Sequence, residues 1–413
     1  MDRVADRFAR VETRRHFAGF VRGMLAALPR KTCWSIAEHA GEASPTAMQH
    51  LLNRAVWDTD GVAADLRGFV TDHLGEPDAV LIVDESGDLK KGEHTVGVQR
   101  QYTGTAGRIE NAQVAVYLAY ASRGGHALID RELYLPRSWA ENPDRRARAG
   151  VPQEVEFATK PALATTMITR AVEAGLPAGW VTGDEVYGID PDLRTQLEHL
   201  GLGYVLGIGC NRRVTIYGAR GGVRMRADQV AAGLGEHCWT RYSAGAGAKG
   251  PRFYDWAFVA LHPDDGPGHR WLLLRRHPEH GELAYYRCYA PRPVALTELV
   301  RVADARWRIE ESFQATKTLT GLDEHQVRRW TSWRRWTLIA MLAHALLAVF
   351  AAAIRTREPA GLIPMTCNEA ARLINRLLAD PIQSLASVLR WSHWRRRHQH
   401  RAQASHYRRR PAT

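Results

Sequence analysis

Residues 79–84 read A-V-L-I-V-D. An unbroken apolar run of strand length, without polar alternation, is what a central strand buried on both faces requires, and this one ends in a carboxylate. Outward from it the pattern stays regular. Residues 113–120 alternate, Gly124-Gly125 marks a turn and residues 127–133 return, which predicts a hairpin beside the first strand. The loop between holds Lys90, Lys91, His94, Arg100, Gln101 and Tyr102 among several glycines. Residues 137–160 are polar and irregular, and 162–174 carry a helical pattern. G-W-V-T-G-D at 179–184 is a second short strand ending in a second carboxylate, Asp184, with E-V-Y-G after it. A helix over 191–200, stopped by Gly201, leads to a strand at 203–208. The order β-β-β-α-β-α-β predicts an α/β (α+β) fold, a mixed sheet flanked by helices.

Beyond residue 210 the composition shifts toward Gly, Arg, Tyr and Trp. Apolar runs at 214–217, 256–261, 271–275 and 283–289 predict a β-rich insertion over 211–292, closed by Pro291 and Pro293. Residues 303–317 follow, A-D-A-R-W-R-I-E-E-S-F-Q-A-T-K, with nothing to break a helix. Arg306, Glu310, Phe313, Gln314 and Lys317 recur at three- and four-residue steps and share one stripe. A cation one turn before a carboxylate and another two turns after it suits a helix offering a metal ligand to a phosphodiester. The same spacing also suits an ordinary surface ion pair.

Asp84 and Asp184 each end an apolar strand, where a sheet presents functional groups, and Glu310 lies on a later helix able to pack on that sheet. Three carboxylates converging there could hold two divalent cations, one activating a nucleophile and one stabilising the leaving oxygen of a phosphodiester. Oxygen-only ligands select Mg²⁺ or Mn²⁺, and no clustered Cys or His argues for zinc. Glu85 and Glu185 adjoin the aspartates, but a neighbouring strand residue faces the opposite way, so neither is assigned to the metals.

The flanks carry a different signal. Residues 1–75 read as short helices, among them a loose helix-turn-helix pattern with Gln49, His50 and Arg54 outward. Residues 336–354 are apolar enough to raise the question of a membrane span, yet their Ala content and central His344 predict a buried core helix. The net charge of +12 is uneven: residues 391–413 hold seven arginines, among them Arg395, Arg396 and Arg397, and no acid. Without those seven the rest of the chain carries 12 − 7 = +5. Such a tail suits a polyanion, nucleic acid above all. Five scattered cysteines without paired spacing predict a reducing compartment, and the charged N-terminus has no apolar signal segment. The expected organisation is a helical N-terminal region (1–75), a catalytic domain in two parts (76–210 and 293–357) around the β-rich insertion (211–292), and a C-terminal helical region with a basic tail (358–413).

Taken together, V-D-E-S (83–86), K-K-G-E-H-T-V-G-V-Q-R-Q-Y (90–102), G-D-E-V-Y-G (183–188) and R-W-R-I-E-E-S-F-Q-A-T-K (306–317) followed by G-L-D-E-H-Q-V-R (321–328) resemble the DDE transposases of bacterial insertion sequences. The similarity is greatest to the branch of DDE superfamily endonucleases with a β-strand insertion between the second Asp and the Glu. The resemblance covers about residues 15–350 and implies an RNase H-like catalytic domain with Asp84, Asp184 and Glu310 as triad and metal ligands. A Tyr-Arg-Glu-Lys signature in related transposases places Arg four before the Glu and Lys seven after it. Arg306 and Lys317 fit those offsets around Glu310 and would break them around Glu311, while the Tyr position is Ala303. The resemblance implies phosphate contacts from Arg306 and Lys317. The basic residues Lys90, Lys91, Arg100, Arg328 and Arg395–Arg397 join them as expected DNA contacts. It further implies two Mg²⁺ or Mn²⁺ ions, double-stranded DNA of element ends and target as partner, a homodimer on DNA, and action in the bacterial cytoplasm at the nucleoid, without a membrane. Alternatives are a nuclease that cuts without transposing and a domesticated DNA-binding protein.

Overall fold

A computed structural model describes residues 2–219, 221–247, 250–262, 266–358 and 363–377, with 390, 391, 394 and 401. Arg395, Arg396 and Arg397 lie outside the described residues. The chain forms two compact units: residues 66–314, which carry the sheet, and residues 1–65 with 315–413, which are helical.

The strands are β1 (Val80–Leu89), β2 (Gln99–Thr103), β3 (Arg108–Ala121), β4 (His126–Leu133), β5 (Trp180–Gly183), β6 (Gly203–Ile208), β7 (Arg213–Gly218), β8 (Gly221–Arg226), β9 (Thr240–Gly247), β10 (Gly250–Ala260), β11 (His269–Arg276) and β12 (Leu283–Ala290). The α-helices are α1 (Val11–Leu25), α2 (Cys33–His39), α3 (Thr46–Asn53), α4 (Thr59–Leu74), α5 (Arg137–Ala140), α6 (Pro143–Ala149), α7 (Lys160–Glu173), α8 (Glu185–Gly188), α9 (Pro191–His199), α10 (Ala227–Ala232), α11 (Leu296–Ala305), α12 (Trp307–Thr320), α13 (Trp330–Arg355) and α14 (Cys367–Leu377).

A ten-stranded mixed sheet runs in the order β2-β3-β1-β5-β6-β12-β11-β10-β9, with β4 paired to the far part of β3. The expected mixed sheet flanked by helices is present. β1 sits between antiparallel β3 and parallel β5, and Val80, Leu81, Ile82 and Val83 are at most 1% exposed, as the apolar run demands. Asp84 does not end the strand, because β1 continues to Leu89, paired throughout with β3. Only the parallel ladder stops there, its last pair being Val83 with Gly183. β3 does not alternate either: Ala112 to Ala121 are buried without interruption. Residues 137–160 contain α5 and α6, the latter capped by Asn142, which accepts from the Arg145 N–H, and closed by Gly150 at φ 65°.

The strands of 211–292 continue the central sheet, β12 pairing with β6 from Tyr289–Tyr204 to Tyr285–Ile208. The β7–β8 hairpin and α10 pack on that extension through Val214, Val230, Leu272 and Leu274. The helix expected over 303–317 is interrupted at Arg306, where α11 gives way to α12. The backbone stays right-handed there (φ −54°, ψ −35°), but the Ile309 N–H reaches back only three residues, to the Arg306 carbonyl.

In the helical unit, α13 lies against α1, α3 and α14. It is long and apolar enough to cross a membrane, and 72% of its most apolar window is buried. A helix apolar on all sides is what a position inside a helical core requires. Trp333 and Trp336 are at most 2% exposed, and the Trp336 Nε1–H donates to the Gly321 carbonyl.

Candidate active site

Register places the first two carboxylates. Val83 and Gly183 face each other on parallel strands, so Asp84 and Asp184 are the next residues on neighbouring chains. Beyond that pair the chain after β5 turns into α8, with Asp184 as its N-cap: Oδ1 accepts from the Val186 N–H at 2.9 Å. Glycines permit this turn. A Cβ on Gly188 would lie 1.8 Å from the Gly207 carbonyl oxygen, and one on Gly183 would lie 2.8 Å from the Val83 side chain.

The third carboxylate comes from α12, which lies on the Asp84 face of the sheet. Tyr117, the antiparallel partner of Asp84, meets Phe313 edge to face at 5.3 Å between ring centres. Glu310 is one turn before Phe313. Its Oε1 accepts from Arg306 Nη1 at 2.6 Å, and Arg306 Nη2 stands 3.8 Å from Asp84 Oδ2. One guanidinium therefore links the sheet carboxylate to the helix carboxylate. Glu311 faces elsewhere, pairing with Arg308 at 2.9 Å and with His126 Nε2 at 3.3 Å. His126 Nδ1 lies 2.8 Å from the Ser312 hydroxyl, so the start of β4 holds α12 from beside the site. The His126 and Arg308 contacts hold the Glu311 carboxyl down at about 2.

Electrostatics single out the aspartates. Burial, with Asp184 nearby, pushes Asp84 up to about 7 against the pull of Arg306. Burial and the neighbouring Glu85 raise Asp184 as well. Glu85 points to the opposite face, as strand alternation requires, accepting from Lys160 Nζ at 2.6 Å and from the Tyr187 hydroxyl at 2.8 Å. Lys160 and the fully buried Tyr187 are supports that the sequence reading missed. Tyr187 stands inside G-D-E-V-Y-G, and that motif was the available signal.

A cleft of about 330 Å³ opens beside Asp184, lined also by Glu185, Cys210, Tyr285, Tyr286 and Arg306. Two carboxyl oxygen donors on adjacent strands, both raised chiefly by burial and without thiol or imidazole between them, form a donor pair suited to a hard cation. Among the described residues no three His, Cys, Asp or Glu side chains come together as an ion site, and Glu310 is engaged by Arg306.

The expected basic contacts scatter. Lys90 follows β1, six residues beyond Asp84 and so roughly 20 Å along the strand, and Asp88 Oδ2 is 4.0 Å from its ammonium. Lys91 and the β2 residue Arg100 are exposed on that side. Lys317 is half-buried two turns after Glu310 on α12, and Arg328 is exposed before α13.

The family described as DDE superfamily endonuclease matches residues 3–224, more than half of the chain, including Asp84 and Asp184 but not Glu310. The probable transposase for insertion sequence element IS701 of Microchaete diplosiphon is 29% identical over 195 residues, 47% of this chain and 48% of that protein. The matched part thus spans about half the length of that relative. With two register-matched aspartates inside the matched residues, the chain belongs to the DDE superfamily endonucleases.

Proposed function

We propose that this protein is a transposase that binds the ends of its element, cuts phosphodiester bonds there and joins the freed 3′-hydroxyls to target DNA. The observation carrying this reading is the alignment of Asp84 and Asp184 at the end of the β1–β5 parallel ladder, with Glu310 tied to the same place through Arg306. Asp84, Asp184 and Glu310 would hold two Mg²⁺ or Mn²⁺ ions, which supply activation of the attacking hydroxyl and charge stabilisation at the leaving oxygen. The protein's own groups do the rest. The Val186 N–H and the Glu85 N–H each fix one aspartate oxygen, orienting the other. Arg306 and Lys317 contact the phosphates of the bound end, Arg306 with the fork geometry a phosphate accepts. Lys90, Lys91, Arg100 and Arg328 extend the contact along the duplex. Two ends handled together require a dimer on DNA, acting on the chromosome in the cytoplasm.

The test is Mn²⁺ calorimetry on the whole chain, alone and with a duplex oligonucleotide titrated separately as blank. Asp84→Ala, Asp184→Ala and Glu310→Ala each weaken binding at least tenfold while the thermal transition survives, and Glu311→Ala leaves it unchanged. Manganese binding indifferent to all three positions sinks the reading.

A further inference from the structure

We propose that Arg306 is a resident counter-ion that keeps the carboxylate site closed to divalent cations until a DNA phosphate takes its guanidinium. The inference rests on the reading of Asp84, Asp184 and Glu310 as one site. Both edges of the guanidinium are committed to that site, Nη1 to Glu310 at 2.6 Å and Nη2 towards Asp84 at 3.8 Å. Arg306 also acts electrostatically on Asp184 and lines the cleft beside it. A positive group thus already stands among all three carboxylates, in the place a cation needs.

Three properties make this a latch rather than a fixed strut. A guanidinium cannot leave by losing a proton at any physiological pH, so only another anion can draw it away. Phosphate is the anion that matches its two parallel N–H donors as well as a carboxylate does. The side chain is 29% exposed, and it stands at the interruption between α11 and α12, where the cleft opens to solvent. Once the guanidinium turns to a phosphate, Glu310 and Asp84 lose their internal partner and the repulsion it exerts on a second cation goes with it. Cation binding and DNA binding are then coupled, and by linkage each tightens the other by the same factor. A protein without DNA would hold its chemistry in abeyance. The competing account is an ordinary i, i+4 pair that steadies the helix and has no bearing on cations.

Mn²⁺ calorimetry on the full chain decides between them, comparing wild type with Arg306→Gln, each with and without a short duplex and with the duplex alone as blank. The expected result without DNA is binding about tenfold tighter or more in Arg306→Gln. The duplex tightens the wild type by a similar factor and Arg306→Gln by little. Equal or weaker binding by Arg306→Gln, with Asp84-dependent binding intact in wild type, overturns the latch and leaves the site reading standing. Absence of Asp84-dependent binding in every protein, with and without DNA, overturns both. Should Arg306→Gln fail to melt as a folded protein, Arg306→Lys takes its place, since an ammonium cannot bridge both carboxylates. Affinity above wild type is expected, and affinity at or below it rejects the proposal.

Discussion

Asp84 is a charge placed where folding alone would not place one. It follows four consecutive residues that are at most 1% exposed, and its side chain is 15% exposed. The upward shift to about 7 means that the fold prefers the neutral acid. The sign follows from the direction of that shift. A raised folded value contributes stability that is complete below the unfolded value near 3.8 and is lost as pH climbs through 7. Asp84→Asn removes the ionisation and keeps the shape. At pH 4 variant and parent melt together. At pH 8, without divalent ions, the variant is more stable by roughly 2–4 kcal/mol, the upper end being the full three-unit shift. Thermal melts across that pH range measure it, and a parent more stable than Asp84→Asn at pH 8 refutes the buried-charge account. A carboxyl so costly to the fold is consistent with the metal-binding role proposed for it.

At the scale of elements, small residues decide whether the two aspartates can meet. α8 lies against β6 so closely that Gly188 and the Gly207 carbonyl leave no space for a methyl group. The obstacle is backbone on a central strand, which cannot swing aside as a side chain would. Gly188→Ala should therefore cost about 3 kcal/mol or more, and should displace the α8 N-terminus that holds Asp184. Chemical denaturation gives the first number, and a loss below about 1 kcal/mol would show that α8 shifts freely. The sequence conveyed much of this level. The apolar runs at 79–84 and 179–184 marked both strands and the acids that follow their parallel ladder, because central strands need apolar sequence. It conveyed nothing of β1 beyond Asp84, where E-S-G-D-L is held by the ladder to β3, a partner distant in the chain. The alternation read over 113–120 failed for a similar reason: the loop before β2, outside the local pattern, buries Gln113 too, whose amide donates to the Val96 carbonyl. Around Arg306 there is no glycine or proline to break a helix, so the altered hydrogen bonding there leaves no local trace. The choice of Glu310 over Glu311 rested on offsets in a resemblance. The structure separates them by partner, Arg306 for one, and His126 and Arg308 for the other.

Across the whole molecule, charge is the property that no single element explains. Seven of the arginines behind the net +12 fall within residues 395–410, with no acid among them. Their attachment point is defined. The Trp391 Nε1–H donates to the Glu42 carbonyl at 2.8 Å, and Trp394 stands edge-on to Trp34 of α2 at 4.5 Å. Both contacts lie at the α2–α3 pair, whose Gln49, His50 and Arg54 are exposed. Two tryptophans just before the arginine run thus contact the helix pair that the sequence reads as a loose helix-turn-helix. Sequence-independent affinity from such a segment comes from released counterions, about 0.9 ion for each phosphate neutralised on duplex DNA. Deleting residues 395–413 should then lower affinity for every duplex alike and flatten the plot of log K against log salt by several units, up to about six if all seven arginines engage. Preference for one sequence over another should survive, because phosphate contacts carry no base information. Fluorescence anisotropy on two unrelated duplexes at four salt concentrations separates the outcomes. An unchanged slope would mean that the arginines serve solubility alone. A lost preference would move sequence reading from the helix pair to the tail.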